Sequence, residues 1–570
     1  MKVYGIDLGT TYSAVAQINE FGQPEIIENF EGDRTTPSVV LFDDATNFTV
    51  GKEAKNEIRL RPDDTVELIK RHMGDKYPVN IHGVTHTPES ISALILNYLT
   101  DAAAEFTGDD AEGVVITVPA YFGIEARTAT KQAGTIAGLN VLDIITEPVA
   151  AALSSGLKDG ANQTVLVYDL GGGTFDTTIM DITDEGIEVL AIDGDRTLGG
   201  ADWDNELFDL VVFNFAMETG LEDDPTYDDN FVQNLKAEVE KGKITLSRRP
   251  STRIPCNYQN TTRANVEITR DEFEERTKHL VDQTLRVVER TIETARKKKP
   301  NLTIDKYLLV GGSSRMPMIS EALESTFGWE LTPTEYDFAV AKGAAIYAQG
   351  LIDGNPQLSD PTAGAGAGVG AGSTDGAEVA GFGMAAGVGA GGAGGAGAGA
   401  GAAGAKNEPS RITVATPGGE RNLTIKNVLP KAVGVQFWDE ERQEPYILHL
   451  LEAGAELPAE AQATGLAVED NTTAIRFDIY EQAGEVPSRD MNANKLISGE
   501  EGARLVNLPN LKRHSPVHMI MKVSNDGIVS LEGNEPSSGK TFQLEAQLSA
   551  LSDDDVQAAR NVVVGMIRAD

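Results

Sequence analysis

Two α/β lobes of similar fold, then a flexible Gly/Ala-rich linker and a compact all-β domain, are the architecture this 570-residue sequence predicts. Three observations predict it. A short apolar β-type run ending in Asp, one residue, then Gly and Thr occurs twice, as Gly5-Ile6-Asp7-Leu8-Gly9-Thr10-Thr11 and within Tyr168-Asp169-Leu170-Gly171-Gly172-Gly173-Thr174-Phe175-Asp176. Up to about residue 352, short β-branched runs alternate with amphipathic helical stretches, as an α/β architecture requires. From about residue 360 to 405 the composition becomes almost wholly Gly and Ala, and beyond it residues alternate between turn signals. The chain therefore divides into 1–352, a linker 353–408, a β domain 409–550 and a C-terminal helix 551–570. A chain this long exceeds what one core supports.

In the first unit, Lys2-Val3-Tyr4-Gly5-Ile6, Gly113-Val114-Val115-Ile116-Thr117-Val118 and Thr164-Val165-Leu166-Val167-Tyr168 read as strands. Pro88 to Ala104, Glu125 to Ala137 and Asp271 to Lys298 read as helices. The basic run Arg296-Lys297-Lys298-Lys299 complements the dipole of the last of these. The Gly/Ala tract has no periodic apolar face, so it reads as a tether with a root-mean-square span of roughly 35–40 Å. Such a tether holds the second domain at an effective concentration near millimolar. In that domain Thr473-Ala474-Ile475-Arg476-Phe477-Asp478-Ile479-Tyr480 and His518-Met519-Ile520-Met521-Lys522-Val523 alternate as strands do, while Asn525-Asp526-Gly527-Ile528 and Ser537-Ser538-Gly539-Lys540 are hairpin signals. Ser552-Asp553-Asp554-Asp555 is an N-cap with an acidic first turn, opening a helix that runs to the chain end.

The composition is 41% apolar and 24% charged, that of a globular protein. No apolar run reaches the ~18 residues of a membrane span, and the first residues read as a strand rather than a signal peptide, which together predict a cytoplasmic address. The single Cys256 excludes an intramolecular disulfide and a cysteine zinc site. A net charge of −39 argues against nucleic acid or an anionic membrane as partner.

The duplicated turn has a specific chemistry. Glycines let backbone N–H groups approach phosphate oxygens, and the Thr hydroxyls add donors. The two Asp residues would repel that anion without a divalent cation between them, so the pattern implies a nucleotide with Mg²⁺ held through waters. A lone Asp-x-Gly-x-Thr is also an ordinary tight turn; the recurrence in matching strand contexts favours the phosphate reading.

Ile6 to Ser13, Glu31 to Ser38, Ile69-Lys70-Arg71, Thr117-Val118-Pro119-Ala120-Tyr121-Phe122, Glu147-Pro148, Tyr168 to Asp176, Leu198-Gly199-Gly200 and Leu309 to Pro317 resemble, in order, the motifs of the bacterial-type heat-shock protein 70 family. The resemblance implies an actin-like (duplicated ribonuclease H-like) ATPase fold that hydrolyses ATP to ADP and phosphate in an interlobe cleft. It places Gly9, Thr10, Thr11 and Tyr12 on the β/γ-phosphates from one lobe, and Gly172, Gly173 and Thr174 from the other, with Gly200 behind them. Asp7 and Asp169 would orient hydrated Mg²⁺, and Lys70 would neutralise the transferred phosphoryl. Glu147 and Asp176, helped by Thr174, would position the attacking water. Glu240, Lys243 and Ser247 match the adenosine-facing helix, and Gly312, Ser313, Arg315 and Asp337 the remaining purine and ribose contacts. Pro119 and Arg127 match an interlobe relay.

The β domain is similar to the family's peptide-binding sandwich, which would put Val468, Ile475 and Phe477 in a groove for extended apolar segments; as side chains of a sandwich they also fit a plain core. Unfolded or extended polypeptide clients, a J-domain co-chaperone and a nucleotide exchange factor are the implied partners. Two departures stand out. Where the family has a short apolar docking strand, Asn355-Pro356-Gln357-Leu358-Ser359-Asp360 keeps one Leu and gives way to Gly and Ala, which offers almost nothing to dock. After Ser552 only one helix remains of the family's helical lid. Three readings follow: a lidless ATP-dependent chaperone, a nucleotide-gated binding or scaffold protein, and a small-molecule kinase on the same fold, the last disfavoured by the chaperone motifs and the β domain.

Overall fold

The computed structural model describes residues 2–156, 162–331, 334–354, 384–386, 410–416, 419–484, 487–498, 503–506, 508–525, 527–546 and 551–569. Asn355 to Asp360, Asp526 and the Gly/Ala tract apart from 384–386 lie outside the described residues.

The first lobe contains β1 (Val3–Asp7), β2 (Tyr12–Ile18), β3 (Pro24–Ile27), β4 (Asn47–Val50), α1 (Pro88–Thr107), β5 (Gly113–Val118), α2 (Ile124–Ile136), β6 (Val141–Thr146) and α3 (Glu147–Gly156). Its main sheet runs β6-β5-β1-β2-β3, with β1 antiparallel to β2 and parallel to β5. The second lobe contains β7 (Gln163–Leu170), β8 (Phe175–Ile182), β9 (Gly186–Asp195), α4 (Gly200–Thr219), α5 (Asp229–Leu246), α6 (Arg270–Lys298), β10 (Lys306–Val310) and α7 (Ala339–Gly354). There β7 is antiparallel to β8 and parallel to β10. The same three-strand unit is thus built twice, and in each copy the glycine turn joins the two strands of the hairpin. The lobes meet where α7 crosses α3. A Cβ on Gly343 would lie 1.7 Å from the Ala150 carbonyl oxygen, so glycine there permits backbone contact.

The sheet of the second lobe does not end at β9. β11 (Ser410–Thr416) and β12 (Gly419–Lys426) form a hairpin whose second strand pairs parallel with β9, Gly186 opposite Thr424 and Ile187 opposite Ile425. Ile412, Leu423 and Ile425 are at most 2% exposed and enter the core with Val165, Leu308 and Ala344. This corrects one expectation, since residues 410–426 join the sheet of the second lobe rather than the β domain begun at 409; the expectation for Asn355 to Asp360 lies outside the described residues. The hairpin adds an apolar strand to that sheet. It stands beyond the Gly/Ala tract, where the alternation Leu423-Thr424-Ile425 gives one buried face. The Gly/Ala tract therefore leaves α7 and returns to a strand packed on α7, Gly354 lying against Thr413.

The β domain contains β13 (Val433–Asp439), β14 (Glu444–Leu451), β15 (Ala459–Ala467), β16 (Ile479–Gln482), β17 (Asn494–Leu496), β18 (Pro516–Val523), β19 (Val529–Glu535) and β20 (Lys540–Ala546). One sheet runs β14-β13-β16-β17, the other β15-β18-β19-β20, with residues 384–386 on the outer edge of β15. The single strand expected over 473–480 is two, Ile475–Phe477 and Ile479–Gln482, because the first pairs with Ala503–Leu505 and the second with β13.

α8 (Asp553–Val564) is capped by Ser552 as the sequence implies, yet stops short of the chain end and is followed by β21 (Ile567–Arg568), which pairs parallel with β4. Val563 joins the core of the first lobe, and Gln132 of α2 donates to the Leu551 carbonyl at 3.0 Å. The segment expected as a truncated lid thus covers the first lobe. The reason is its apolar stripe, Val556, Ala559 and Val563, which finds α1 and α2.

Candidate functional site

The two glycine turns face each other across a cleft of about 900 Å³ between the lobes. Gly9 donates its N–H to Ser13 Oγ at 3.1 Å, and Ser38 Oγ donates to the Gly9 carbonyl at 2.8 Å, which fixes the first turn. In the second, Gly171 N–H donates to the Thr174 carbonyl at 3.0 Å, while Gly200 and Ala201, opening α4, donate to the Gly171 and Gly172 carbonyls at 2.9 and 2.8 Å. The turns touch: a Cβ on Gly172 would sit 2.2 Å from Thr11 Oγ1, and one on Gly173 2.4 Å from Thr10 Cγ2.

Below the turns lies a dense group of carboxylates. Lys70 Nζ is 2.6 Å from Glu147 Oε1, and both are buried. Thr117 donates to Asp7 Oδ1 at 3.1 Å. Burial first, and the Glu147 charge second, push Asp7 up to about 7. Asp169 and Asp176 are likewise raised well above the carboxylate range by burial and then by Glu147. Three buried carboxylates and the half-buried Asp7 against one ammonium make an electrostatic deficit that a divalent cation would relieve. Among the described residues no three His, Cys, Asp or Glu side chains converge tightly enough to ligate an ion by themselves. Asp7 and Asp169, both lining the cleft beside the turns, are the side chains that could hold a hydrated Mg²⁺ completed by phosphate oxygens, the mode this ion favours.

Each expected nucleotide-site residue lines the cleft except Gly173, Gly200 and Asp176. Gly173 and Gly200 back the second turn, and Asp176 Oδ2 accepts the Ala120 N–H at 3.3 Å just behind it. At the rim, Lys55 Nζ reaches Tyr12 Oη at 2.9 Å and Glu240 Oε1 at 2.7 Å, joining the lobes. Lys243 is tied to the Gly200 carbonyl and to Asp204 Oδ2 at 2.7 and 2.6 Å, and Ser247 Oγ turns back to the Lys243 carbonyl. Arg315 pairs with Asp337 and lies over the Tyr336 ring, 4.9 Å from its centroid. Gly312 and Ser313 line the same wall.

Sequence reasoning missed Lys55, Asp204 and above all Arg71. Arg71 Nε donates to the Gly173 carbonyl at 2.8 Å and Nη2 pairs with Asp202 at 3.2 Å, so it crosses from one lobe to the other. Its position directly after Lys70 was the available signal.

Pro119 follows β5, and the half-buried Arg127 donates to the Phe122 and Ala120 carbonyls at 2.9 and 3.3 Å. Burial lowers its guanidinium to about 10. The segment 119–124 touches Asp176 through the Ala120 N–H and, through the Ile124 N–H, Glu481 Oε1 of the β domain at 3.0 Å. The groove residues fare differently. Ile475 and Phe477 are 3% and 1% exposed in the core of the sandwich, and Val468 is half-buried in the bend after β15. Of the two environments their alternation fits, a groove or a plain core, Ile475 and Phe477 occupy the core.

No helix among the described residues is long and apolar enough to cross a membrane. The Hsp70 protein family profile matches residues 3–80 and 76–360. Two curated relatives, the proteins named Chaperone protein DnaK from Halobacterium salinarum strains R1 and NRC-1, are each 34% identical over 567 residues, covering 97% of this chain and 76% of the relative. A two-lobed α/β unit with a β-rich region after it, a cleft built from paired glycine turns and a profile match over more than half the chain agree: the chain belongs to the Hsp70 family of ATPases.

Proposed function

We propose that this protein is an ATP-dependent molecular chaperone that hydrolyses ATP in the interlobe cleft and uses its β domain to bind extended apolar polypeptide segments. The convergence of two phosphate turns on the buried Lys70–Glu147 pair supports it most directly. Thr10, Thr11 and Tyr12 hold the β/γ-phosphates from one side and Gly172, Gly173 and Thr174 from the other. Glu240, Lys243, Ser247, Gly312, Ser313, Arg315 and Asp337 receive the adenosine. Asp7 and Asp169 would hold Mg²⁺, which when bound would neutralise charge on the phosphate oxygens. Lys70 Nζ approaches the γ-phosphoryl, while Glu147 and Asp176 accept hydrogen bonds from a water aimed at phosphorus. Its oxygen bonds to the γ-phosphorus, the bond to the bridging oxygen breaks, ADP leaves with that oxygen's electron pair, and both of the water's protons depart with inorganic phosphate as dihydrogen phosphate. Pro119 and Arg127 relay nucleotide state toward the β domain through the segment that touches both Asp176 and Glu481.

Replacing Lys70→Ala should leave ATP binding in place and lower turnover by about 10²–10³-fold; full turnover in that variant removes the catalytic assignment. Binding to the β domain is read separately, from the off-rate of a fluorescent extended apolar peptide with and without ATP. Burial of Ile475 and Phe477 in the sandwich favours a second reading, a nucleotide-gated scaffold, for which that off-rate is insensitive to ATP. Under the chaperone reading ATP speeds release, and a J-domain co-chaperone and an exchange factor accelerate hydrolysis and ADP loss.

A further inference from the structure

A second interdomain contact, apart from the Glu481 hydrogen bond, leads to the phosphate turns through paired arginines. Lys495, on β17 of the β domain, donates to the Gly74 carbonyl at 2.7 Å and to Asp75 Oδ1 at 3.0 Å, and its ammonium also pairs with Glu125 of α2 at 2.6 Å. The other oxygen of Asp75 is 3.5 Å from Arg196 Nη2. That same nitrogen donates to the Arg71 carbonyl at 3.2 Å. The Arg71 side chain returns the contact, holding the Gly173 and Thr197 carbonyls and Asp202. Arg196 stands in the loop between β9 and α4, and Gly199 of that loop presses on Gly173, a Cβ there lying 2.5 Å from the Gly173 carbonyl carbon. The loop and the Lys70–Asp75 segment are thus laced reciprocally, with a cavity of about 240 Å³ between them and the β domain.

We infer that Arg196 is a positioning residue that carries docking of the β domain, sensed at Lys495 and Asp75, to the phosphate turns held by Arg71. The inference rests on ATP hydrolysis in the cleft. Arg196 touches no residue assigned to the nucleotide, so it acts on how Lys70 and Gly173 are placed. Undocking frees Lys495 from Asp75, Asp75 then competes with the Arg71 carbonyl for Arg196, and the second turn loosens.

The test is a double-mutant cycle on the full chain, reading kcat and KM for ATP in wild type, Lys495→Ala, Arg196→Ala, Arg196→Lys and the Lys495→Ala/Arg196→Ala pair. Each single alanine variant should shift kcat by about 2- to 30-fold, near the lower end because the Asp75–Arg196 pair is partly exposed. KM should stay within about twofold, and the double variant should equal Arg196→Ala alone. Arg196→Lys keeps a charge beside Asp75 but lacks the planar fork, so it should follow Arg196→Ala. Additive effects, an unchanged kcat in Lys495→Ala, or equal changes in kcat and KM overturn the inference while hydrolysis stands. A wild type that turns over no ATP overturns both.

Discussion

Gly172 shows how closely the two lobes are fitted. Its missing side chain is the space that Thr11 occupies, so Gly172→Ala sets a methyl against the opposing turn. Overpacking of this kind costs about 1–3 kcal/mol, which should lower ATP affinity by about 5- to 150-fold in titration calorimetry while the chain remains folded. At this scale the sequence is most legible where chemistry needs particular residue types at fixed spacing. Asp7, Asp169 and the Thr residues fall into that class and stand together in the cleft. Arg71 does not, because its main partner is a backbone carbonyl, and nothing in the residue at position 173 announces an acceptor. Ile475 and Phe477 fail for the opposite reason. An alternating strand has one buried face, but alternation does not say whether that face meets the opposite sheet or a ligand.

Among the elements, β12 carries the most consequence. Its register on β9 buries Ile425 and Leu423 at a sheet edge that would otherwise be open. Ile425→Ala should cost about 2–5 kcal/mol and release the hairpin, seen as rapid proteolysis between Lys426 and Val433 that is absent in the wild type. The docking of α2 on the β domain should depend on pH. Burial raises Glu481 above its ordinary value in the docked form, so docking takes up a proton. Docking is strongest at low pH and weakens as pH rises through the raised value. Glu481→Gln, which keeps an acceptor for the Ile124 N–H, should weaken this trend and leave the part due to Glu125, which burial also raises and which pairs with Lys495 across the same contact, measured as protection of the 427–432 segment from protease as pH rises from the acid side. The elements themselves were readable from periodicity and caps, as the helices over 88–107 and 270–298 show. The docking of β12 was not, because its strand pattern is separated from the rest of its sheet by a tract with no pattern at all.

On the scale of the whole molecule, the Gly/Ala tract changes meaning. Its composition predicts a connector between two bodies, yet both its flanks, α7 and β11, belong to the same one. The 55 residues between Gly354 and Ser410 are an excursion whose length is paid in closure entropy. Shortening it about eightfold should stabilise the hairpin by about 2 kcal/mol, raising Tm of the N-terminal body without loss of basal ATP turnover; a large loss of turnover would show that the tract acts on the cleft. The composition shift was legible, but where the chain resumes its fold after it was set by tertiary pairing.

The true connector is short. Six residues separate Lys426, last of the docked strand, from Val433, first of the sandwich. Fully drawn out they reach about 20 Å. While β12 holds its place, the β domain is on a short leash, able to pivot beside the two-lobed body but never to wander off as a bead on a long string would.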